Sequence, residues 1–354
     1  KDAMQRIAKI DIRMMETILS ANPIFYYRNK LEYTFSNHKW IVDREAQEVD
    51  PTHALGFHRP ESFFKIVDIS KCHLQIDISN QIRNEIKALA SNSNLAFYDI
   101  KEHKGLLRNL IIRTNHLDQV MMSLIIAADQ ENEVTDLLEA VKAKFPSIIS
   151  MYVGFNQKRN DSLFEVKFKK IYGEDYLIER LHHVQFYISP KSFFQTNTKQ
   201  AEHLYGLVAE YANLNGTQTV YDLYCGVGSI GIYLAKDAAQ IIGVEEVAEA
   251  IIDAKRNATL NQLNNTHFYT GDAKEIVTET LFERHGHPDL IIVDPPRAGL
   301  HEDLIQTLLQ ISSPKIIYVS CNPATQARDL LLFSQLYKVC LLYTSPSPRD
   351  RTRS

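Results

Sequence analysis

The sequence has few cysteines and no long apolar run. Its 354 residues include four cysteines, too few and too widely spaced for a disulfide framework, so reduced thiols are expected. No apolar run approaches the roughly 20 residues that a membrane span needs. The first residues form no apolar signal segment and do not begin with methionine. These absences predict a cytoplasmic protein outside the membrane, and the missing methionine indicates a fragment.

An excess of basic residues is also lacking. Lysine and arginine number 39 against 43 aspartates and glutamates, which gives a formal net charge of −4. This balance excludes a surface coated with positive charge, although a local basic patch can still bind nucleic acid. The hydrophobic fraction of 45% is ordinary for a globular protein. The length suits about two domains of roughly 100–200 residues each.

The first half of the chain, residues 1–185, predicts an antiparallel α+β domain. Residues 2–19 have the apolar spacing of an amphipathic helix that the Asn22-Pro23 pair would close. Residues 25–35 alternate aromatic and polar side chains, as a half-buried strand does. Further strands are predicted at 54–57, 95–101, 106–114, 120–127 and 148–155, and a helix at 134–145.

The second half, residues 186–342, predicts an α/β domain with a parallel, Rossmann-like sheet. After a helix at 199–214, apolar strands are predicted at 219–224, 240–245, 266–269, 289–293 and 316–320. Helical segments separate these strands, which is the pattern of βαβ units. Residues 343–354 have no hydrophobic periodicity and are predicted to be a disordered tail.

Two of these strands end in residues whose side chains could take part in catalysis. One ends in Asp-Pro-Pro-Arg at 294–297 and the other in Cys-Asn-Pro at 321–323. Open α/β sheets carry their chemistry at the carboxyl edge. We therefore expect a carboxylate, a guanidinium and a thiol to share one rim.

The turn after the first parallel strand is rich in glycine. It contains Gly226, Gly228 and Gly231 in the spacing G-x-G-x-x-G, which lets a ligand approach the backbone at a helix N-terminus. Glu245 ends the next strand and would accept hydrogen bonds from both ribose hydroxyls of an adenosine. A nicotinamide oxidoreductase would show the same two features, and a glycine turn without a ligand is a further alternative.

The Asp294-Pro295-Pro296 motif distinguishes these cases, because it resembles the D/N-P-P motif of S-adenosylmethionine-dependent methyltransferases. In such folds Asp272 would meet the adenine amino group, although it would equally well serve as a helix N-cap.

Arg297 and Cys321 favour methylation at carbon. Ring C5 of a pyrimidine is a poor nucleophile, so a thiolate must first add to C6. Arg297 would polarise the uracil carbonyl or stabilise the thiolate, and Asn322 would hold the edge of the base. The alternative for Cys321 is a small buried hydrophobic residue at a strand end.

Four motifs together resemble the RNA uracil-C5 methyltransferases, which make 5-methyluridine in ribosomal or transfer RNA. They lie at 192–197, 222–228, 293–299 and 319–323, and the resemblance extends over about residues 4–340. It implies an S-adenosylmethionine cofactor, an RNA substrate and a monomer, with Cys321 as nucleophile. The implied cofactor contacts are Gln195, Tyr224, Glu245 and Asp294, with Ser229 and Asp272 as weaker candidates. The glycine-rich turn adds Gly226 and Gly228 to the cofactor candidates.

The chain departs from that family at both ends. Ribosomal members carry an oligonucleotide-binding barrel and three cysteines of a 4Fe–4S cluster before this region, and Cys72 stands where the fourth ligand would be. A lone cysteine cannot hold a cluster, but it points to a parent acting on 23S ribosomal RNA. No glutamate matches the family's C-terminal proton acceptor, and the tail resembles vector-derived sequence. Slow turnover or a stalled RNA adduct is the expectation.

Aromatic and basic residues of the first half would contact RNA. For each candidate taken singly, the alternative interpretation is a solvated surface residue without an RNA contact. The alternatives to a 23S enzyme are a transfer-RNA uracil-C5 methyltransferase and a non-catalytic RNA-binding or ribosome-assembly module. The candidates are Tyr26, Tyr27, Arg28, Lys30, Arg108, Arg113, Lys167, Lys169 and Lys170.

Overall fold

The computed structural model describes residues 2–11, 15–41, 52–60, 62–160 and 166–344. Its first half contains α1 (Asp2–Arg6), β1 (Lys30–Ser36), β2 (Ala54–Arg59), β3 (Ser62–Asp68), α2 (Asp77–Ser91), β4 (Leu107–Thr114), β5 (Val120–Ile126), α3 (Thr135–Lys144), β6 (Ile148–Phe155) and β7 (Lys167–Gly173).

These strands form a seven-stranded sheet in the order β3-β2-β1-β4-β5-β6-β7. Every residue of the central strands β4 and β5 is buried. The prediction of an antiparallel sheet is wrong for one pair, because β5 and β6 are parallel. The helix α3 lies between them in the chain and supplies the crossover that a parallel pair requires.

Two local predictions for the first half are wrong, and one helix was not predicted. The N-terminal helix stops at Arg6, and Lys9 has a φ of 56°, which a right-handed helix does not allow. Residues 95–101 make only isolated bridges, because Asp99 Oδ1 accepts hydrogen bonds from the backbone N–H groups of Lys101 and Glu102 and so forms a turn. The helix α2 was missed, although Ile78, Ile82 and Ile86 have helical spacing.

The second half contains β8 (Leu177–Leu181), β9 (Val184–Ile188), α4 (Thr198–Ala212), β10 (Thr219–Leu223), α5 (Ser229–Leu234), β11 (Gln240–Glu245), α6 (Ala248–Leu260), β12 (Thr266–Thr270), α7 (Ala273–Ile276), α8 (Glu279–His285), β13 (Leu290–Val293), α9 (Glu302–Ile311), β14 (Ile316–Tyr318) and α10 (Pro323–Phe333).

The predicted parallel sheet is confirmed, with the order β12-β11-β10-β13-β14. Alternate residues of each strand enter two different apolar clusters, such as Val220 in one and Tyr221 in the other. Both faces of the sheet are therefore covered, as in a doubly wound α/β fold. The strand order reverses around β10, so the loops after β10 and β13 diverge and leave a crevice at the carboxyl edge.

The hairpin of β8 and β9 packs with the parallel sheet. Phe186 in β9 and Phe194 after it belong to the same apolar cluster as Val220 and Ile241. The predicted boundary at 185 and 186 falls inside β9, and the division into domains stays a prediction.

The predicted tail begins too early. Thr344 accepts a hydrogen bond from the backbone of Leu19, and the ring of Tyr343 packs against Tyr211. These two residues are therefore held by the fold, and residues 345–354 lie outside the described residues. Within the described residues, no helix combines the length and the apolar character needed to cross a membrane.

Candidate active site

The turn after β10 brings backbone to the carboxyl edge of the sheet. Tyr224, Gly226 and Gly228 all have positive φ values, of 63°, 55° and 79°. A Cβ atom at Gly226 would meet nothing within 4 Å, whereas one at Gly228 would lie 3.0 Å from Ile232 and 3.1 Å from Phe268. Gly226 thus leaves open space above its backbone, and Gly228 allows close packing below the turn.

Glu245 turns back toward this loop from the end of β11. Its Oε2 accepts a hydrogen bond from Gly226 N at 3.1 Å, and its Oε1 accepts one from Val247 N at 2.9 Å. Each carboxylate oxygen keeps a further lone pair for a ligand. The geometry suits the predicted role of Glu245 as an acceptor for ribose hydroxyls.

Two further carboxylates lie at the same edge. Asp222 is only 1% exposed; its Oδ2 accepts a hydrogen bond from Gly231 N at 2.8 Å, while Oδ1 is buried without a partner among the described residues. Burial, reinforced by the charges of Asp294 and Glu245, raises the Asp222 pKa to about 7. Burial alone raises the Asp294 pKa to about 6. This rim concentrates negative charge, which favours a ligand with a cationic centre.

S-adenosylmethionine fits these residues. Its sulfonium is cationic, its ribose hydroxyls match the oxygens of Glu245, and the open backbone at Gly226 admits a ligand. Among the described residues, the Asp294 carboxylate accepts no hydrogen bond and is thus available to such a ligand.

Gln195 and Ser229, two further cofactor candidates, differ in how their side chains are paired. Asn29 Nδ2 donates a hydrogen bond to the backbone oxygen of Gln195 at 2.9 Å, and the Gln195 side chain has no partner among the described residues. Ser229 Oγ is paired with the buried hydroxyl of Tyr205 at 2.8 Å. Gln195 is therefore free to contact a cofactor, whereas the Ser229 hydroxyl already packs within the protein.

Asp272 caps a helix, as the alternative interpretation expected. It is the N-cap of α7 and accepts a hydrogen bond from Lys274 N at 3.0 Å. Burial, followed by the charge of Asp272, raises the pKa of Tyr224 to about 12, so the two residues lie near each other. A cofactor contact at Asp272 stays a prediction.

Cys321 lies at this edge, in the segment that follows the neighbouring strand β14. Val293 pairs with Tyr318, and Val319 N donates a hydrogen bond to Val293 O at 2.9 Å, so Asp294 and the segment after β14 share the rim. Cys321 is exposed and its thiol is free. The structure thus contradicts the alternative of a small buried residue.

Asn322 and Arg297 lie beside the thiol. Asn322 is the N-cap of α10; its Oδ1 accepts a hydrogen bond from Ala324 N at 3.1 Å, and its Nδ2 donates one to Arg297 O at 3.0 Å. Asn322 therefore positions the loop that carries Arg297, and one amide hydrogen stays available for a base edge. The exposed guanidinium of Arg297 has no partner among the described residues.

Asp329 supports this arrangement and was missed in the sequence. It is 0% exposed, and its Oδ2 accepts hydrogen bonds from Leu300 N at 2.8 Å and Tyr318 Oη at 2.6 Å. The guanidinium of Arg328 pairs with Oδ1 at 2.6 Å. A carboxylate within a helix normally indicates a solvent-facing position, so the sequence carried no signal for this role.

Phe193 is a second residue that was missed as a separate candidate. Its side chain is 72% exposed, although it lies two positions before Gln195. The exposed ring was already visible in the motif Phe193-Phe194-Gln195, since only one of two adjacent aromatic residues can face the core.

Two predicted RNA contacts are wrong. Arg108 is buried, and its guanidinium donates hydrogen bonds to the backbone oxygens of Asn156, Lys158 and Asn160. Arg113 is buried too, and it donates to Ser192 O at 2.6 Å. Both arginines hold loops in place, because a buried guanidinium needs acceptors that loop carbonyls supply.

The remaining basic candidates differ in their surroundings. Lys169 forms an ion pair with Glu131, and Lys170 pairs with Asp175 at 2.6 Å. Among the described residues, Lys30 makes no ion pair, and the guanidinium of Arg28 makes only a long hydrogen bond to Lys30 O at 3.4 Å. The least neutralised cations therefore lie near β1.

Cys72 has no cluster of metal ligands around it in the part of the chain that the structure describes. Its side chain is buried in the core of the first half, and its backbone exchanges hydrogen bonds with Asn80. Within the described ranges, no three His, Cys, Asp or Glu side chains converge as metal ligands. An iron–sulfur cluster needs four ligands, so the residues present do not fit one.

Comparison with known proteins identifies the family. The model of the tRNA (Uracil-5-)-methyltransferase family matches residues 114–343. The chain belongs to this family. It is therefore an S-adenosylmethionine-dependent RNA uracil-C5 methyltransferase, and the nicotinamide oxidoreductase alternative is wrong.

Relatives of this methyltransferase extend the match over most of the chain. An uncharacterized RNA methyltransferase from Bacteroides thetaiotaomicron is 42% identical over 345 residues, covering 96% of this chain and 76% of the relative. An uncharacterized RNA methyltransferase from Porphyromonas gingivalis is 42% identical over 339 residues, covering 94% of this chain and 73% of the relative. The crystal structure of Pyrococcus abyssi tRNA (uracil-54, C5)-methyltransferase in complex with S-adenosyl-L-homocysteine is similar to this chain, with a TM-score of 0.72 and 28% identity. The match covers 93% of this chain and 74% of the archaeal one.

Proposed function

We propose that this methyltransferase acts on a uridine of 23S ribosomal RNA through a covalent bond between Cys321 and C6 of the base. The observation that carries the proposal is the free, exposed thiol of Cys321 on the sheet edge that also bears Asp294. A surface thiol at a site lined by cofactor-binding candidates suits nucleophilic catalysis.

The reaction begins with addition of the Cys321 thiolate to C6. The new S–C6 bond displaces the π electrons toward C5 and O4, which makes C5 nucleophilic. Arg297 has an unpaired guanidinium on the same rim and would stabilise either the thiolate or the negative charge on the uracil oxygen. This role would explain why a flexible arginine stands directly after the Asp-Pro-Pro segment.

The cofactor, when bound, supplies the methyl group at its sulfonium. C5 forms the new bond to that methyl group while the bond from methyl to sulfur breaks. A base then takes the C5 proton, and the electron pair released restores the C5–C6 double bond and expels the Cys321 thiolate.

The residues around the sulfonium would position it. We assign Asp294, Glu245, Gln195 and Tyr224 to cofactor binding, with Gly226 and Gly228 shaping the turn. The carboxylates of Asp294 and Glu245 lie on the negative rim described above, which favours the cationic cofactor over its neutral product.

The target base has to leave its stack before Cys321 can reach C6. The exposed ring of Phe193 lies beside Gln195 and offers a surface on which such a base can stack. This gives the extruded uridine an apolar contact near the cofactor.

Cys72 supports the ribosomal assignment, since it matches a ligand position of the ribosomal class. The similarity to the archaeal tRNA enzyme supports transfer RNA as the second candidate. Incubation of the full chain with S-adenosylmethionine and either a 23S transcript or a tRNA transcript, followed by nucleoside mass spectrometry, separates them.

We expect 5-methyluridine in the 23S transcript and none with Cys321→Ala, which should still bind RNA. Product in tRNA alone would overturn the ribosomal assignment. Full activity of Cys321→Ala would overturn the covalent mechanism, and RNA binding without any product would favour a non-catalytic module.

A further inference from the structure

A cleft opens between β1 and the loop that carries Gln195. Its volume is about 420 Å³, and its polar lining consists of Arg28, Lys30, Glu32 and Thr196. Phe57 and Leu74 are among the apolar residues of its wall. We call this feature the β1 cleft.

The β1 cleft holds more positive than negative charge. Lys30 lies two residues after Arg28 in the chain and pairs across the sheet with Arg113, while Glu32 is the one carboxylate of the lining. Burial first, and then repulsion by Arg113 and Arg28, lowers the Lys30 pKa to about 8, although Glu32 partly offsets this. Among the described residues, the Lys30 ammonium forms no ion pair within 4.0 Å.

Partly buried like charges destabilise one another unless an anion joins them. Arg28 contributes donors to the same space, since among the described residues its guanidinium makes only the long contact with Lys30 O at 3.4 Å. An anion seated between these two side chains would gain charge-assisted hydrogen bonds from both. The cleft therefore has the chemistry of an anion site.

The β1 cleft is tied directly to the loop that carries the cofactor residue Gln195. Arg28 forms an isolated β-bridge with Asn197, and Asn29 N donates a hydrogen bond to Thr196 O at 2.8 Å. Asn29 Nδ2 also reaches Gln195 O at 2.9 Å. A ligand in the cleft therefore lies beside the predicted cofactor site.

The segment that leads into the cleft exposes aromatic rings. Phe25 is 53% exposed and Tyr26 is 41% exposed, and both pack against the ring of His73. Exposed rings followed by unneutralised cations are typical of surfaces that follow a nucleic-acid strand, with rings for bases and cations for phosphates.

We propose that the β1 cleft binds a backbone phosphate of the RNA strand that carries the target uridine, with Arg28 and Lys30 as its ligands. This inference rests on the proposed function, since it assumes an RNA substrate. A phosphodiester suits the cleft because it offers two charged oxygens to two neighbouring cations.

The test measures binding of a fluorescein-labelled RNA stem-loop with uridine in its loop, at several KCl concentrations. Arg28→Gln and Lys30→Met remove one cation each and keep the side-chain stem. We expect each to weaken binding by about three- to tenfold and to reduce the salt slope by about 0.7. Lys142→Met, which removes a lysine paired with Glu139, is the matched control and should change neither quantity.

A second measurement replaces single phosphates near the uridine with uncharged methylphosphonates. One replacement should weaken binding to the unmodified protein and have little further effect on Lys30→Met, because the lost charge pair is the same. Additive effects at every position would overturn the proposal, as would unchanged binding and salt slope in Arg28→Gln and Lys30→Met.

Calorimetry with S-adenosylhomocysteine distinguishes an RNA phosphate from the other possible occupant of the cleft, the cofactor's carboxylate. Unchanged affinity in both variants supports an RNA phosphate, whereas weaker cofactor binding with an unchanged RNA salt slope would assign the cleft to the cofactor's carboxylate. Absence of 5-methyluridine with the unmodified protein would count against the proposed function alone, because RNA binding and its salt slope are measured without turnover.

Discussion

At the scale of single residues, the site depends on carboxylates whose pKa values are raised. Burial raises the Asp294 pKa to about 6, so this group is ionised at neutral pH and becomes protonated as the pH falls through 6. Asp222, with a pKa of about 7, also loses its charge over this interval. The negative potential at the proposed cofactor site therefore weakens as the pH falls.

We expect the affinity for S-adenosylmethionine to fall by about five- to twentyfold between about pH 7.5 and pH 5, because each pKa unit corresponds to about 1.4 kcal/mol. Asp294→Asn should bind weakly throughout and show a flatter profile. Calorimetry across this range checks the prediction, with neutral S-adenosylhomocysteine as the control ligand. Equal pH dependence for both ligands would contradict a charge interaction with the sulfonium.

Asp222 allows a prediction about stability. Its pKa in the folded chain is about 7, above the ordinary value of 3.8. The folded chain therefore binds this proton more tightly than the unfolded chain does. The resulting stabilisation is complete below pH 3.8 and is lost as the pH rises through 7. Asp222→Asn keeps an acceptor for Gly231 N and removes the buried charge. We expect its gain in unfolding free energy to be about 1–3 kcal/mol larger at pH 8 than at pH 5.

Thermal unfolding at the two pH values tests this. The exposed Asp289, whose Oδ2 accepts a hydrogen bond from Thr219 N at 2.8 Å, supplies the matched control Asp289→Asn. A gain for Asp222→Asn that is the same at both pH values would show that the buried charge is not its cause.

At the scale of elements, Asp329 joins α10 to the loop after β13 and to β14. Removing the carboxylate leaves Leu300 N and Tyr318 Oη without their acceptor in a buried place. We expect Asp329→Ala to lower the free energy of unfolding by about 2–4 kcal/mol. Chemical denaturation measures this, with Tyr318→Phe as the comparison that loses one hydrogen bond and about 1 kcal/mol.

Equal costs for Asp329→Ala and Tyr318→Phe would show that the carboxylate does not join these elements. A lower rate of methylation in Asp329→Ala, with unchanged cofactor affinity, is also expected, because the loop that carries Arg297 packs on the same helix.

The parallel strands could be predicted because buried apolar runs dominate them. Residues 240–245 were predicted as a strand and form β11 with the same bounds. The N-terminal helix failed for a local reason, since apolar spacing continues beyond Arg6 while the backbone at Lys9 turns away. Long-range pairing, such as the contact of Thr344 with Leu19, leaves no periodic signal in either segment.

The candidate site was predictable to the extent that its residues follow strand ends. Asp294, Glu245 and Cys321 all come to the carboxyl edge because parallel strands deliver them there. Arg108 and Arg113 were wrongly predicted to contact RNA, because an arginine in a strand sequence is typical of an exposed cation. Only the fold shows the carbonyl groups that surround their guanidinium groups. Asp329 was invisible for the same reason.

At the scale of the whole molecule, the two sheets meet at the loop that carries Gln195. Asn29 Nδ2 donates hydrogen bonds to Gln195 O and to Thr198 Oγ1, each at 2.9 Å. Arg113 in β4 holds the same loop through Ser192 O. The first half of the chain thus sets the position of Gln195, the residue that we propose for cofactor binding in the second half.

We expect Asn29→Ala to raise the dissociation constant of S-adenosylhomocysteine by about three- to tenfold, since each lost hydrogen bond is worth about 1 kcal/mol. Far-ultraviolet circular dichroism should stay unchanged. Asn84→Ala is the control, because Asn84 also donates to a backbone oxygen, that of Ser70, but within the first half. Equal affinity in the two variants would show that the loop is held without Asn29.

The central claim is that Cys321 attacks C6 of a uridine. RNA that contains 5-fluorouridine tests it most directly, because fluorine at C5 cannot leave as a proton does and the adduct is trapped. With S-adenosylmethionine present, intact mass spectrometry should show the protein joined to the RNA and one methyl group. The adduct should persist in Cys340→Ala, which removes the other exposed thiol, and vanish in Cys321→Ala. An adduct in Cys321→Ala, or none in a protein that still makes 5-methyluridine, would contradict the account.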